Sequence, residues 1–161
     1  DVDFYTYYAG LAGSPTAIGE AGIDRVKQVG QWHVNVGGAK SDTVVESYRG
    51  RYPENNDDLF FITLKYGMEL LAQSIDKAGS TDALSVAREL EQGRYEAVTG
   101  EVWIRPDNHQ LMQPLYVSTF KKTGEEGVRY EVELTGTGPK TDFVVSAEDT
   151  TLPTTCNMDR P

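Results

Sequence analysis

Two hydrophobic periods divide this chain. Between Thr43 and Gly93 apolar residues recur every three or four positions, and on either side of that block they recur every two. Asp3–Tyr8 (DFYTYY), aromatic, β-branched and bounded by Gly10, is expected as a strand. Arg25–Val36 is expected as a second, ending at Gly37-Gly38. Between them Ser14-Pro15 opens a short helix, since Ser caps and Pro suits the first helical position. Thr43–Tyr52 predicts a helix with a capping box from Thr43 to Glu46, stopped at Pro53–Asn56. Asp57 or Asp58 caps the longest helix, 58–78, whose Phe60, Leu64, Met68, Leu71, Ile75 and Ala78 form the stripe expected to be buried. Gly79 suits the left-handed position that ends it. Ser80–Asp82 opens a third helix, 82–92, with Leu84, Ala87 and Leu90 inward.

After Gly93 the period returns to two. Glu101–Arg105 and Leu115–Lys121 predict strands joined by the polar turn Asp107–Gln110, and Lys122–Gly127 (KTGEEG) predicts a hairpin loop. Val128, Tyr130, Val132 and Leu134 alternate with charged residues, the clearest half-buried strand pattern in the chain, and Phe143–Val145 adds a short last strand. Three successive helices without intervening strands leave two architectures open. They form a small α+β domain, or they are the outer layer of a sheet whose strands lie outside this sequence.

The totals narrow the functional classes. With 161 residues the chain is long enough to bury one core, and 39% hydrophobic residues is ordinary for a globular protein. A formal net charge of −10 argues against nucleic acid and anionic membrane surfaces, which need basic patches. No apolar run approaches the roughly 20 residues of a membrane span. The chain begins at Asp1 without Met or a signal segment, so it is expected to be processed, truncated or cleaved. Cys156 is the one cysteine, which excludes an internal disulfide and a CxxC metal cluster. It reads as a free surface thiol or as half of a pair with another chain.

Catalytic chemistry finds little support. His33 and His109 have no second ligand at metal spacing: His109 sits in a polar turn, and His33 beside Trp32 reads as a partly buried hydrogen bonder. Ser14, Ser74 and Thr99 lack a nucleophile elbow, and Gly10, Gly13, Gly19 and Gly22 match neither dinucleotide nor P-loop spacing. Backbone N–H groups near Ser14–Thr16 could hold an anion at a helix start. The aromatic run is more informative. Phe4, Tyr5, Tyr7 and Tyr8 must point alternately to opposite faces, so one face is core and the other is covered or open. Tyr7-Tyr8-Ala9-Gly10 at the strand end could line a ligand cleft with amphipathic rings, and Tyr66 on the long helix is a further candidate against a core role.

The ordered set FYTYYAG, GEAGIDRVKQV, YRGRYP, YGMELLAQSIDKAGSTDA, TGEVWIRPDNHQLMQPLYV and TTCNMDRP resembles the C-terminal portion of type I periplasmic solute-binding proteins of ABC transporters. Within them it is most similar to the branched-chain amino acid (Leu/Ile/Val)-binding group. The resemblance implies an α/β fold that is part of a two-lobe type I periplasmic-binding-protein architecture, with three-layer α/β/α lobes, C-terminal β-hairpins and the N-terminal half absent. It implies that 1–24 belongs to lobe 2, 25–99 to lobe 1 and 100–161 to lobe 2 with a C-terminal extension. Two of the family's three crossings fall near 25–32 and 99–100; the third has no counterpart.

For function, the resemblance implies an extracytoplasmic, periplasmic component of an ABC importer, working with a permease. It would bind a small solute between two lobes through Tyr7, Tyr8, Ala9, Gly10 and Tyr66, with neither catalysis, cofactor nor metal. The helices would need covering by the missing N-terminal half or by a second copy. In the amino acid binders an acidic residue after the first matching strand receives the ligand ammonium. Tyr8 stands near that place, and a neutral phenol is no substitute for a charge-assisted acceptor. An aromatic acid or an amide is therefore expected beside a branched-chain amino acid-like solute. The alternative is a ligand-sensing regulatory protein on the same two-lobe fold.

Overall fold

The computed structural model describes residues 2–53, 59, 62–156 and 158. The chain divides into two compact units, Asp1–Phe60 with Leu115–Val145, and Phe61–Pro114 with Ser146–Pro161.

The first unit is built on a mixed sheet of four strands, β1 (Phe4–Thr6), β2 (Val26–Gly30), β6 (Leu115–Lys122) and β7 (Thr137–Val145), in that spatial order. β1 and β2 run parallel, with Phe4 opposite Val26, and β2 pairs antiparallel with β6, Gln28 opposite Ser118. The parallel connection carries α1 (Ser14–Ile18) and a 3-10 turn (Gly19–Gly22). A helix, α2 (Ala39–Arg51), follows β2. It begins four residues before the expected capping box. Gly38 is its N-cap without a side-chain bond, and Thr43 Oγ1 donates back to Ala39 O at 2.7 Å, so Thr43 is an interior residue. Trp32 Nε1 donates to Ser41 Oγ at 2.9 Å and ties the loop after β2 to the first turn of α2.

The expected strand at Val128–Leu134 does not form. Val128 and Val132 are buried as the alternation predicts, but the segment runs in turns between Gly127 (φ 80) and Gly136 (φ 69). At its centre the backbone of Tyr130 is bonded by a side chain instead of a strand. Asn35 Oδ1 accepts from Tyr130 N at 2.7 Å and Asn35 Nδ2 donates to Tyr130 O at 2.8 Å. Leu134, expected inward, is exposed. The strand that pairs with β6 is Thr137–Val145, whose sequence has no alternation and contains Pro139, tolerable because β7 is an edge.

The second unit holds α3 (Ile62–Ala78), α4 (Ala83–Gln92) and a three-stranded antiparallel sheet, β3 (Arg94–Ala97), β4 (Gly100–Ile104) and β5 (Leu111–Met112). Asp82 caps α4, accepting from Ser85 N at 2.9 Å, and Gly79 (φ 59) ends α3. The buried stripe of α3 is not the expected one. Ile62, Tyr66, Leu70 and Ser74 face inward, whereas Leu64 (71% exposed), Met68 (67%) and Leu71 (39%) face out. Phe60 and the cap at Asp57 or Asp58 lie outside the described residues. On α4 the buried residue is Val86, and Leu84, expected inward, is exposed. At Thr99-Gly100, expected as a crossing, Thr99 ends the Val98-Thr99 turn of the β3–β4 hairpin and Gly100 opens β4, inside one unit. The chain changes unit after Phe60, at Leu115 and after Val145.

Candidate functional site

In sheets with parallel strands, ligands collect outside the carboxyl ends of the strands, where the connecting loops diverge. In the first unit the ends of β1 and β2 lead into Tyr7–Gly10 and Gln31–Val34. Just past β1 the chain turns tightly: Tyr8 N donates to Thr6 Oγ1 at 3.0 Å and Leu11 N to Tyr8 O at 3.1 Å. That turn throws Tyr7 (71% exposed) and Tyr8 (69%) into solvent and buries Ala9.

Gly10, in that turn, lines a cavity of about 30 Å³. Gly10, Gln28, Trp32 and His33 form one side of it, and Val34, Leu59, Phe120, Val132 and Pro139 complete the wall. Strand register explains the grouping. Thr6, Gln28 and Ser118 are successive cross-strand partners and share one face of the sheet, with Phe120 and Pro139 paired on the same face. Gly10 is required by close approach: a Cβ there would stand 2.1 Å from Gln28 Nε2, so any side chain would displace the amide.

His33 is buried, and burial pushes its pKa down to about 3, so the ring is neutral. Its Nδ1 accepts from Asn35 N at 3.2 Å, which places the proton on Nε2, donating to Thr141 Oγ1 at 3.0 Å. Tyr116 stacks edge-on with centroids 5.9 Å apart. The imidazole is thus fully engaged, the hydrogen bonder that its place beside Trp32 suggested. Two neighbours on the shared face are not engaged. Gln28 Oε1 and Ser118 Oγ are buried without a hydrogen-bond partner.

Tyr7 to Gly10 therefore come together at one strand end, with Gly10 lining the cavity. Tyr66 belongs to the second unit. It is buried there and its hydroxyl donates to Gln113 Oε1, so it is a satisfied core residue. The anion site anticipated near Ser14–Thr16 is filled by the chain itself. Glu133 accepts from Gly13 N, from Thr16 N at 2.9 Å and from Thr16 Oγ1 at 2.7 Å, capping α1 with a carboxylate. Glu133 (φ 52) and Leu134 (φ 55) hold left-handed backbone to reach it.

Gln28 was not legible in the sequence: it lies in VKQVG, where neither period marks it as buried. His109 sits in its polar turn at φ 55, its Nε2 bonded to Glu91. Among the described residues no group of three or more His, Cys, Asp or Glu could hold a metal, and no helix is long and apolar enough to cross a membrane. Cys156 is exposed with a free thiol.

A family model described as periplasmic binding protein matches residues 2–125. Among solved structures the chain is similar to the leucine-, isoleucine-, valine-, threonine- and alanine-binding protein from Brucella ovis in its closed conformation. The TM-score is 0.84 over 99% of this chain and 41% of that one, at 18% identity. It is also similar to two solute-binding proteins of ABC transporters from Rhodopseudomonas palustris. The strain BisB5 protein, in complex with 3,4-dihydroxybenzoic acid, gives a TM-score of 0.65 at 17% identity, over 80% of this chain and 32% of that one. The strain HaA2 protein, in complex with p-hydroxybenzoic acid, gives 0.64 at 15% identity, over 82% and 33%. No curated protein matches the sequence significantly. At these identities the structures speak to the fold, a mixed α/β portion of the two-lobe periplasmic binding architecture, and this chain spans about two fifths of the first relative's length.

Proposed function

The chain belongs to the periplasmic binding protein family, and we propose that it is part of the extracytoplasmic solute-binding component of an ABC importer. It would take a small solute, a branched-chain amino acid-like molecule, an aromatic acid or an amide, in a cleft between two lobes. The observation that carries this reading is the end of β1. Tyr7 and Tyr8 are exposed amphipathic rings on the turn that leads to Gly10, and Gly10 lines a small cavity of mostly apolar wall.

Supporting it, the relatives named above are ABC-transporter binding proteins, one named for aliphatic amino acids and two solved with hydroxybenzoic acids. A permease is the partner this role requires. The stretches of the relatives' chains without a counterpart here supply what completes the cleft, and a second copy is the other candidate to cover the outer face of α3. The departure at Tyr8, a phenol where amino acid binders place an acid, favours an aromatic acid or an amide over a free α-amino acid.

The test is calorimetric titration of the chain and of Tyr7→Ala and Tyr8→Ala with leucine, p-hydroxybenzoate and acetamide. Saturable binding of at least one solute, weakened by either substitution, is expected. Binding to the wild type that both substitutions leave unchanged overturns the assignment of these rings. No binding of any of the three, by this chain or by a longer chain that contains the stretches completing the cleft, overturns the reading.

A further inference from the structure

The solute-binding reading puts Tyr7 and Tyr8 on an exposed turn, and exposed rings bind well only where something holds them in place beforehand. Three observations within the first unit identify what holds them. The first is a bracket at the start of α1. One carboxylate, Glu133, accepts from Gly13 N, from Thr16 N at 2.9 Å and from Thr16 Oγ1 at 2.7 Å. The second is how those donors connect to the rings. Ser14 N donates to Leu11 O at 2.9 Å, Leu11 N to Tyr8 O at 3.1 Å and Tyr8 N to Thr6 Oγ1 at 3.0 Å. These bonds form one series of turns from the bracket back to β1.

The third observation is the strain that presents the carboxylate. Thr135 N donates to Val132 O at 3.1 Å and closes a turn whose central residues are Glu133 (φ 52) and Leu134 (φ 55). Two positive φ values in succession favour Asn-Gly, so glutamate and leucine are locally poor choices there. Leu134 is exposed, and its burial therefore does not compensate. The turn is nevertheless held shut. Val132 is buried, its N–H donates to Thr137 O at 2.8 Å, and Gly136 N donates to Glu131 Oε2 at 2.8 Å. The result is a braced arm, 131–137, with a carboxylate at its tip, and backbone held against its preference points to function.

Capping alone does not explain that arm. A polar side chain at the N-cap would stabilise the five residues of α1 without strain, yet the N-cap is Gly13. The distant cap does what a local one cannot: it ties the segment carrying the aromatic turn to another part of the unit. Resting on the solute-binding reading above, we infer that Glu133 is a positioning residue of the site. Its carboxylate bridges the arm to the start of α1 and holds the Tyr7–Tyr8 turn in one geometry before a solute arrives. The turn is then ordered on folding, and binding does not have to order it.

The test compares the wild-type chain with Glu133→Gly, which tolerates the left-handed backbone and removes only the side chain. Amide hydrogen exchange, followed by nuclear magnetic resonance, reads the turn at Tyr8, Leu11 and Ser14 against the strands β2 and β6. The three turn amides should exchange about tenfold or more faster, beyond any change in the strands, the range of a hydrogen bond to a charged group. Glu133→Gln, which keeps one accepting oxygen, should lie between the two. A general stabilising role predicts equal acceleration in turn and strands. That outcome, or unmoved turn amides, overturns the inference. Thr16→Val leaves the arm intact and removes one donor, so it decides the matter even if Glu133→Gly misfolds. It should speed the same amides by a smaller factor, and no change overturns the inference. Titration with p-hydroxybenzoate separates the two proposals. If the wild type binds it, Glu133→Gly should bind about tenfold more weakly. Equal affinity defeats this inference and leaves the solute-binding reading standing. Failure of that reading, with no solute bound by the wild type or by a longer chain, leaves the exchange rates to decide on Glu133 independently.

Discussion

A cluster of buried hydroxyls in the second unit and a pair of buried polar groups on the sheet face of the first are partnered in opposite ways. In the second, the hydroxyls between α3 and β3 close upon their neighbours. Ser74 Oγ donates to Leu70 O at 2.9 Å and lies 2.8 Å from Tyr95 Oη, which reaches Glu89 O at 3.1 Å, while Tyr66 donates to Gln113. Burial raises the Tyr66 pKa well above the usual phenol range, which keeps it a neutral donor. In the first unit Gln28 Oε1 and Ser118 Oγ are as dry and have no partner. A closed network contributes to folding; an open one has already lost its water and gains no bond in return. The difference separates a cluster whose hydroxyls contribute to folding from a sheet face where deleting a polar group loses no hydrogen bond.

The largest effect expected from this contrast is on packing in the closed unit. Leu70 is 4% exposed in the middle of the inward stripe of α3, and Leu70→Ala should cost about 2–5 kcal/mol in a urea titration. A loss under about 1 kcal/mol would mean that this stripe is not the packed one.

The next effect is a pH dependence confined to the open unit. His33 has a folded pKa near 3 against 6.5 in the unfolded chain, so below pH 6.5 the unfolded state takes up a proton that the folded state refuses. Stability should be unaffected by this group above pH 6.5. It should fall by up to about 1.4 kcal/mol per pH unit between there and pH 3. Comparing denaturation midpoints of the wild type and His33→Gln at about pH 7 and about pH 4.5 isolates the contribution. The gap between them should narrow at the lower pH, and a gap independent of pH would show an exposed, ordinary histidine.

A matched pair then tests the contrast itself. Tyr95→Phe deletes a hydroxyl shared by Ser74 and Glu89 O, and should cost about 1 kcal/mol. Gln28→Leu removes a polar group that has no partner to lose, and should change stability by less than about 0.5 kcal/mol or raise it. Were Gln28→Leu the more damaging of the two, Gln28 would be a structural residue and the contrast between the two clusters would not hold.

How much of this the sequence disclosed depended on where the determining contact came from. Local signals read true. Asp82 caps α4 and Gly79 ends α3, because each depends on residues a few positions apart. The Asp107–Gln110 turn, by contrast, leads to β5 and not, as expected, straight to Leu115–Lys121, which pairs in the other sheet. Long-range contacts overrode the pattern elsewhere. Asn35 captures Tyr130 from 95 positions away and keeps 128–134 out of the sheet, and Glu133 caps a helix 117 positions upstream, where a free anion seemed possible. Of the site, Tyr7 to Gly10 were visible as an aromatic strand ending in glycine. Gln28 was hidden, since a buried amide in a short strand leaves no trace in either period. Tyr66 takes the core role weighed against its candidacy, on a helix that is apolar on two sides.

That second stripe carries the smallest predicted effect and the sharpest use of it. Leu64 and Met68 are 71% and 67% exposed, so in the chain alone Leu64→Ser and Met68→Ser should each change stability by less than about 0.5 kcal/mol. A cost above about 2 kcal/mol would show that the face is buried in solution. Sedimentation then separates the two candidate covers. If a second copy lies on this face, the wild type sediments above 17.8 kDa and the double variant returns to that mass. If the rest of the two-lobe fold covers it, both sediment at the monomer mass alone, and the substitutions cost stability only in a longer chain that contains it. Either result turns the outer face of α3 from an unexplained apolar surface into a measured interface. A monomer whose longer form is equally indifferent to both substitutions would leave α3 with one working face, and would remove the reason to seek a cover at all.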